Sequence, residues 1–378
     1  MKIAPDVKLD FADVLIKPQR SATASRKEVD IERHFKFRNV SERWSEWYGV
    51  PIFAANMDTV GTLAMAKALQ EHNMPTCLHK HYDVESLCEY IDLHSINPDF
   101  PYSPRLTFLT LGTGKKDRAK MNEVADACAG PFNCQICVDV ANGYTDYFVD
   151  RVAELRQQFP TTIIMAGNVC TPEMVQELVL QGGVDIVKIG IGPGSACSTR
   201  MVAGVGYPQL SAIAECADAA HGLNAHICAD GGCKTPSDVV KAFGAGADFV
   251  MLGGMLAGTD ECDGEWEWEN DIQWGKGSGK PFVAGKFIAD QDGTLVQKKK
   301  SMKFYGMSSA DAMQKHNGGV ASYRAAEGES FSVPYKGAAS DVILRVLGGI
   351  RSACAYVGAK RLKDLSKRTT FVRVNRIK

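Results

Sequence analysis

The sequence predicts an α/β fold, a closed (β/α)8 TIM barrel, from three observations. Eight short apolar runs recur along the chain, helical patterns or loops fill the gaps between them, and two of the helical stretches open on a Thr-Pro pair. Continuously apolar runs suit strands buried on both faces of a parallel sheet. Eight alternating units favour a closed barrel over an open doubly wound sheet. Residues 1–378 read as a single barrel domain, with a flap-like excursion at 259–303 after the last strand and a C-terminal tail at 360–378.

An N-terminal arm with Leu9-Asp10-Phe11 precedes the first run, Pro51 to Met57. The others are Thr76 to Lys80, Leu106 to Leu111, Gln135 to Val140, Thr162 to Gly167, Asp185 to Gly190, Ala225 to Asp230 and Asp248 to Gly253. Helices are expected at Leu63 to His72, Asp117 to Cys128, Tyr147 to Gln158, Pro172 to Leu180, Pro208 to Ala220 and Ser237 to Phe243. Thr171-Pro172 and Thr235-Pro236 place a capping hydroxyl before a proline suited to the first helical turn. The excursion holds Trp266, Trp268 and Trp274 with Glu265, Glu267 and Glu269 interleaved, an acidic and aromatic pattern that predicts a hairpin with one apolar face. It reads equally as a flap over a site or as a surface that packs on a neighbouring subunit. Lys298-Lys299-Lys300 is expected to be a solvated face. A last helix, Val342 to Val357, closes the barrel, and Lys360 to Lys378 is expected to be a basic, mobile tail.

Net charge is −1 with no long block of one sign, so the composition suggests neither nucleic acid nor a membrane surface as partner. No apolar run has membrane-spanning length, and Met1 to Asp6 lacks the core of a signal peptide. Twelve scattered cysteines in a chain large enough to fold without staples point to reduced thiols and a cytoplasmic setting. Cys134 and Cys137 have the spacing of a metal pair, but on a strand residues three apart face opposite sides, so a metal site there is not expected.

In the sixth run, Val187 to Gly190 enters Ile191-Gly192-Pro193-Gly194-Ser195-Ala196-Cys197-Ser198-Thr199-Arg200. Gly192 and Gly194 widen the backbone's choices and Pro193 stiffens the turn, so Cys197 is a candidate nucleophile on a shaped loop. An ordinary loop thiol is the competing reading. Polar residues fall where the other strands end, at Asn56-Met57-Asp58, His79-Lys80-His81, Asp139-Val140-Ala141, Gly167-Asn168, Asp230-Gly231-Gly232 and Gly253-Gly254. The last two glycine pairs allow backbone N–H groups to approach a phosphate, or serve as tight turns. Further on, Glu327 sits among small residues as an acid/base candidate, or as a solvated glutamate.

These segments, with Tyr305-Gly306-Met307-Ser308-Ser309 and Tyr323-Arg324-Ala325-Ala326-Glu327-Gly328, resemble the IMP dehydrogenase/GMP reductase family across nearly the whole chain. Two absences make the resemblance one to the reductase branch. Only about twenty-five residues separate Lys80 from the third run, too few for the regulatory domain of the dehydrogenases, and nowhere is Arg followed directly by Tyr, the pair their flap uses on water.

The resemblance implies NADPH-dependent conversion of GMP to IMP with release of ammonia. It implies Cys197 as nucleophile at carbon 2 of the purine, with Thr199 and Glu327 as the proton-transfer pair. It further implies Asp230 on the ribose, amides of Gly231, Gly232, Gly253 and Gly254 on the phosphate, and Gly306, Met307, Ser308, Arg324 and Gly328 around the nucleotide. Lys80, Asp139, Val140 and Ala141 match positions near NADPH. Ser25 and Arg26 match its 2′-phosphate end, and Ser352 contributes across a subunit boundary. Carbonyls around Gly192, Gly194 and Cys197, with Arg200 nearby, match a monovalent-cation (K+) site, and a homotetramer is implied. Ser198 stands where relatives often have threonine, and the stretch from Cys262 to Lys303 is longer than the family usually needs. The alternatives are an IMP dehydrogenase without its regulatory domain, a catalytically silent purine-nucleotide-binding barrel, and a flavin-dependent barrel oxidoreductase.

Overall fold

The computed structural model describes residues 3–40, 46–96, 104–127, 134–268, 288–289, 295–296 and 299–375. The N-terminal arm carries β1 (Val14–Ile16) and an antiparallel hairpin of β2 (Arg33–Lys36) and β3 (Glu46–Gly49). Then come β4 (Ile52–Ala54), β5 (Thr76–Leu78), β6 (Thr107–Leu111), β7 (Gln135–Asp139), β8 (Ile164–Val169), β9 (Ile186–Ile189), β10 (His226–Asp230) and β11 (Phe249–Leu252). All are parallel, each pairs with the next, and β11 pairs back to β4 through Met251 and Phe53, so the sheet is a closed barrel. Each expected apolar run coincides with one of these strands, with β8 running two residues past Gly167.

The intervening helices are α1 (Leu63–Gln70), α2 (Val84–Ile96), α3 (Lys115–Ala127), α4 (Asp146–Gln158), α5 (Pro172–Leu180), α6 (Thr199–Val202), α7 (Gln209–Gly222) and α8 (Pro236–Gly244). α2 lies outside the expected helices and buries Leu87, Tyr90 and Ile91. At α8 the Thr-Pro start is a capping box, in which Asp238 accepts from the Thr235 N–H at 2.9 Å. At α5 the Thr171 hydroxyl makes no cap; it accepts instead from the Tyr144 hydroxyl at 3.2 Å.

Two apolar clusters hold the barrel. Phe53, Cys77, Phe108, Cys137, Met165, Ile186, Cys228 and Phe249, one from each strand, join Phe35 and Trp47 of the β2–β3 hairpin in one cluster. These are the inward-facing residues, and the hairpin plugs one end. The larger cluster lies between strands and helices and includes Cys134, so Cys134 and Cys137 do face opposite sides. No helix among the described residues is long and apolar enough to cross a membrane.

The excursion contains β12 (Trp266–Trp268), a short hairpin of β13 (Ile288–Ala289) and β14 (Leu295–Val296), and β15 (Lys299–Tyr305). After α9 (Ala310–Asn317) comes β16 (Ser330–Pro334), and β12, β15 and β16 form an antiparallel sheet. Trp266 packs edge-on to Tyr335 and carries the Lys299 ammonium 4.3 Å above its ring. The lysine run is therefore not simply solvated: Lys299 also pairs with Asp260 at 3.0 Å and Lys300 with Glu267 at 2.7 Å. Trp274, Glu269 and Lys298 lie outside the described residues. The expected closing helix is α10 (Ala339–Val357), which packs on both α8 and α1.

The expected mobile tail is corrected. After α11 (Leu365–Arg368), β17 (Phe371–Arg373) pairs antiparallel with β1, Leu15 opposite Val372. Leu362 and Leu365 are buried and α11 packs on α8, so the segment is fastened by apolar burial and by the strand pair with β1.

Candidate active site

The loop after β9 leaves the barrel through a gap that only glycine permits. A Cβ on Gly190, at φ +150°, would lie 2.1 Å from the Asp230 carbonyl oxygen at the end of β10. The loop then turns so that the Cys197 N–H donates to the Gly194 carbonyl at 3.1 Å. Cys197 is exposed, and its thiol donates to the Thr199 hydroxyl at 3.3 Å.

A distant segment clamps this loop from the other side. Cys197 and Gly328 form an antiparallel bridge, the Ser198 N–H donates to the Glu327 carbonyl at 2.9 Å, and the Glu329 N–H donates to the Ala196 carbonyl at 2.9 Å. Gly306 and Ser308 join the same layer, as Gly306 N–H donates to the Glu329 carbonyl at 3.1 Å and Glu327 N–H to the Ser308 carbonyl at 3.0 Å. Met307, Ser308, Glu327 and Gly328 are half-buried there, whereas Arg324 is exposed. The Glu327 carboxyl makes no hydrogen bond to Thr199 among the described residues; what the fold supplies is proximity of their backbones.

The glycine pairs after β10 and β11 meet the same loop. Gly231 and Gly232 have φ of +86° and +87°. A Cβ on Gly231 would lie 3.2 Å from the Gly194 nitrogen, and one on Gly254 would lie 2.8 Å from the Ser195 hydroxyl. Gly253 packs toward the loop after β4, its added Cβ falling 3.0 Å from the Met57 sulfur. Side chains at these positions would fill a cradle lined by backbone beside the cysteine loop.

Below the cradle lies a lysine set within an otherwise apolar strand. Lys188 is 1% exposed, and its ammonium reaches Asp139 at 2.5 Å, Asn56 at 3.2 Å and Asp230 at 3.2 Å. Asn168 braces Asp230 at 2.9 Å. Gly167 makes room for this arrangement, because a Cβ there would sit 2.5 Å from that of Lys188. Burial pushes the Lys188 pKa down, but the two carboxylates outweigh it and hold the amine well above its ordinary value. Burial likewise pushes Asp139 up, and the ammonium more than reverses this.

On the neighbouring rim, Lys80 follows β5 and leans over the end of β6, its ammonium 3.6 Å from where a Gly112 Cβ would be. Lys120 on α3 sets that loop by donating to the Lys80 carbonyl and, at 2.8 Å, to the Tyr82 carbonyl. Asp139, Val140 and Ala141 stand beside it at the end of β7. Ser25, Arg26 and Ser352 are not brought here. Residues 25 and 26 lie against α10, between contacts of Gln19 N–H with the Tyr356 carbonyl at 3.0 Å and Asp30 N–H with the Lys360 carbonyl at 2.9 Å, on the outside of the barrel. Among the described residues no group of three or more His, Cys, Asp or Glu side chains is placed to hold a metal. A cation at Gly192, Gly194 and Cys197 would thus be held by carbonyls. The Arg200 guanidinium beside them is already engaged by Asp10 at 3.1 Å and by the Tyr207 carbonyl.

Two further supports were not expected from the sequence. Asp58, 4% exposed, accepts from the Tyr305 hydroxyl at 2.8 Å, Lys315 at 3.0 Å and His316 at 2.7 Å, and so pins β15 and α9 to the loop after β4. Lys336 donates to the Gly254 and Met255 carbonyls at 3.0 Å each, which fixes the last glycine turn. Neither was legible because the partners lie far apart in sequence.

Residues 8–377 match the IMP dehydrogenase / GMP reductase domain. The chain is 52% identical over 371 residues to GMP reductase 2 of Homo sapiens, covering 98% of this chain and 95% of that one. It is 50% identical over 373 residues to GMP reductase 1 of Homo sapiens, with 99% and 97% covered. To GMP reductase of Escherichia coli O9:H4 (strain HS) it is 50% identical over 374 residues, again covering 99% and 97%. With the barrel, the cysteine loop and these likenesses together, the chain belongs to the IMP dehydrogenase / GMP reductase family.

Proposed function

We infer that this chain is an NADPH-dependent GMP reductase, which deaminates GMP reductively to IMP and ammonia in purine salvage. The observation that carries the reading is the bridge between Cys197 and Gly328, which seats Glu327 beside the loop holding Cys197 and Thr199. Cys197 as thiolate attacks carbon 2 of the purine. Thr199 and Glu327 deliver the proton that turns the amino group into a leaving ammonia, and a covalent thioimidate remains on the sulfur. When bound, NADPH supplies the hydride to carbon 2; the carbon–sulfur bond then breaks and IMP leaves.

Asp230 accepts from the ribose hydroxyls, and the cradle of Gly231, Gly232, Gly253 and Gly254 holds the phosphate through N–H groups. Gly306, Met307, Ser308, Arg324 and Gly328 border the nucleotide. Lys80, Asp139, Val140 and Ala141 suit the cofactor, since a cation at the rim offers the charge that a pyrophosphate requires. Ser25 and Arg26 serve the 2′-phosphate end of NADPH, and Ser352 contributes across a subunit boundary in a homotetramer. A K+ ion on the carbonyls around Gly192, Gly194 and Cys197 would stiffen the nucleophile's loop. The enzyme works in the cytoplasm.

The reductase reading is favoured over the dehydrogenase because the named relatives above are GMP reductases and no Arg-Tyr pair is present. Mixing the protein with GMP and NADPH tests it: NADPH loss matched by ammonia release is the expected result, and NAD-dependent oxidation of IMP would select the dehydrogenase instead.

A further inference from the structure

Asp139 and Asp230 end strands that are not neighbours, β7 and β10, and under the proposed function they belong to different ligands, cofactor and ribose. Both nevertheless lie within 3.2 Å of one ammonium, that of Lys188 on β9. A lysine this deeply buried is rare unless it is paired. Here its ammonium donates to Asp139 and to the Asn56 amide oxygen and forms an ion pair with Asp230. The side chains of Asp139 and Asp230 remain 31% and 20% exposed, so each keeps an oxygen edge for the mouth of the barrel while its inner oxygen is held. Without the lysine, two like charges would face each other across a poorly solvated space and repel.

We propose that Lys188 is a positioning residue that neutralises Asp139 and Asp230 together, holding Asp230 aimed for the ribose hydroxyls and joining the substrate side of the site to the cofactor side. This rests on the GMP reductase reading. Lys188 lies beneath both carboxylates and acts through them.

The test is GMP binding by calorimetry to the intact protein and to the variants Lys188→Met, Asp139→Asn and their double. Lys188→Met should weaken GMP by about 10- to 100-fold, the scale of a lost hydrogen bond to a charged group. Asp139→Asn alone should leave GMP affinity within about threefold. The double variant should recover most of the loss, because Asp230 no longer faces a second unneutralised carboxylate. Full affinity in Lys188→Met, or a double variant as weak as Lys188→Met, overturns the proposal and leaves the reductase reading intact. If Lys188→Met fails to fold, the double variant should fold, since one carboxylate without its cation costs less than two facing each other; a double variant equally unfolded overturns the proposal. Failure of the unsubstituted protein to bind GMP overturns both readings at once.

Discussion

The Ser198 N–H donates to the Glu327 carbonyl at 2.9 Å, although the two residues belong to loops separated by two barrel strands and the whole excursion. This contact makes the glutamate a neighbour of the cysteine loop. Under the proposed function Glu327 acts on protons and contributes little to holding GMP. Glu327→Gln should lower kcat by about 10²- to 10⁴-fold with KM little changed. Equal losses in ammonia release and GMP binding would assign the residue a structural role.

Gly306 keeps the two loops in register. A Cβ there would fall 2.5 Å from the Ala196 carbonyl oxygen, so Gly306→Ala must push the backbones apart. The expected stability loss is about 1–3 kcal/mol. Turnover should fall more steeply than GMP affinity, since the strain acts beside Cys197. Steady-state kinetics and thermal unfolding of the variant check both parts; unchanged kcat would show that the clamp is dispensable.

Asp58 is the anchor on which Tyr305, Lys315 and His316 converge. Asp58→Ala strands these donors around a buried gap and should destabilise the protein by about 3 kcal/mol, the scale for breaking a buried pair. Denaturant unfolding measures it. A loss below about 0.5 kcal/mol, ordinary for surface substitutions, would mean that the bracket is not holding the excursion.

His79 beside this anchor predicts acid sensitivity. It is buried, stacks on Tyr82 at 4.1 Å, and desolvation lowers its pKa to about 4. The unfolded chain protonates this histidine at about pH 6.5, before the folded protein does. Its contribution is therefore complete above about pH 6.5 and is lost as pH falls from there toward 4. Melting temperature should drop between about pH 7.5 and about pH 5, and less in His79→Gln than in the unsubstituted protein. Equal drops would contradict the assignment.

The barrel was legible because each strand lies in a mostly apolar run, and the family because the cysteine loop, the glycine pairs and the segment with Glu327 are recognisable. Lys188 was hidden by the same logic: one lysine among Ile186, Val187 and Ile189 reads as a strand residue until the closed barrel shows its two carboxylate partners. The tail was misread because β17 has only three residues and its stability comes from β1, at the other end of the chain. Ser25, Arg26 and Ser352 came from resemblance alone, and a single barrel does not gather them into its own mouth. Local pattern reveals elements and turns; pairings between distant residues become visible only once the sheet closes.

The most direct test of the central claim is GMP-dependent NADPH oxidation by the unsubstituted protein and by Cys197→Ala, with GMP binding measured on both. Oxidation should occur only when GMP is present, with one ammonia released for each NADPH consumed, and turnover should fall to background in Cys197→Ala with GMP affinity within about threefold. Substantial turnover in Cys197→Ala would contradict it.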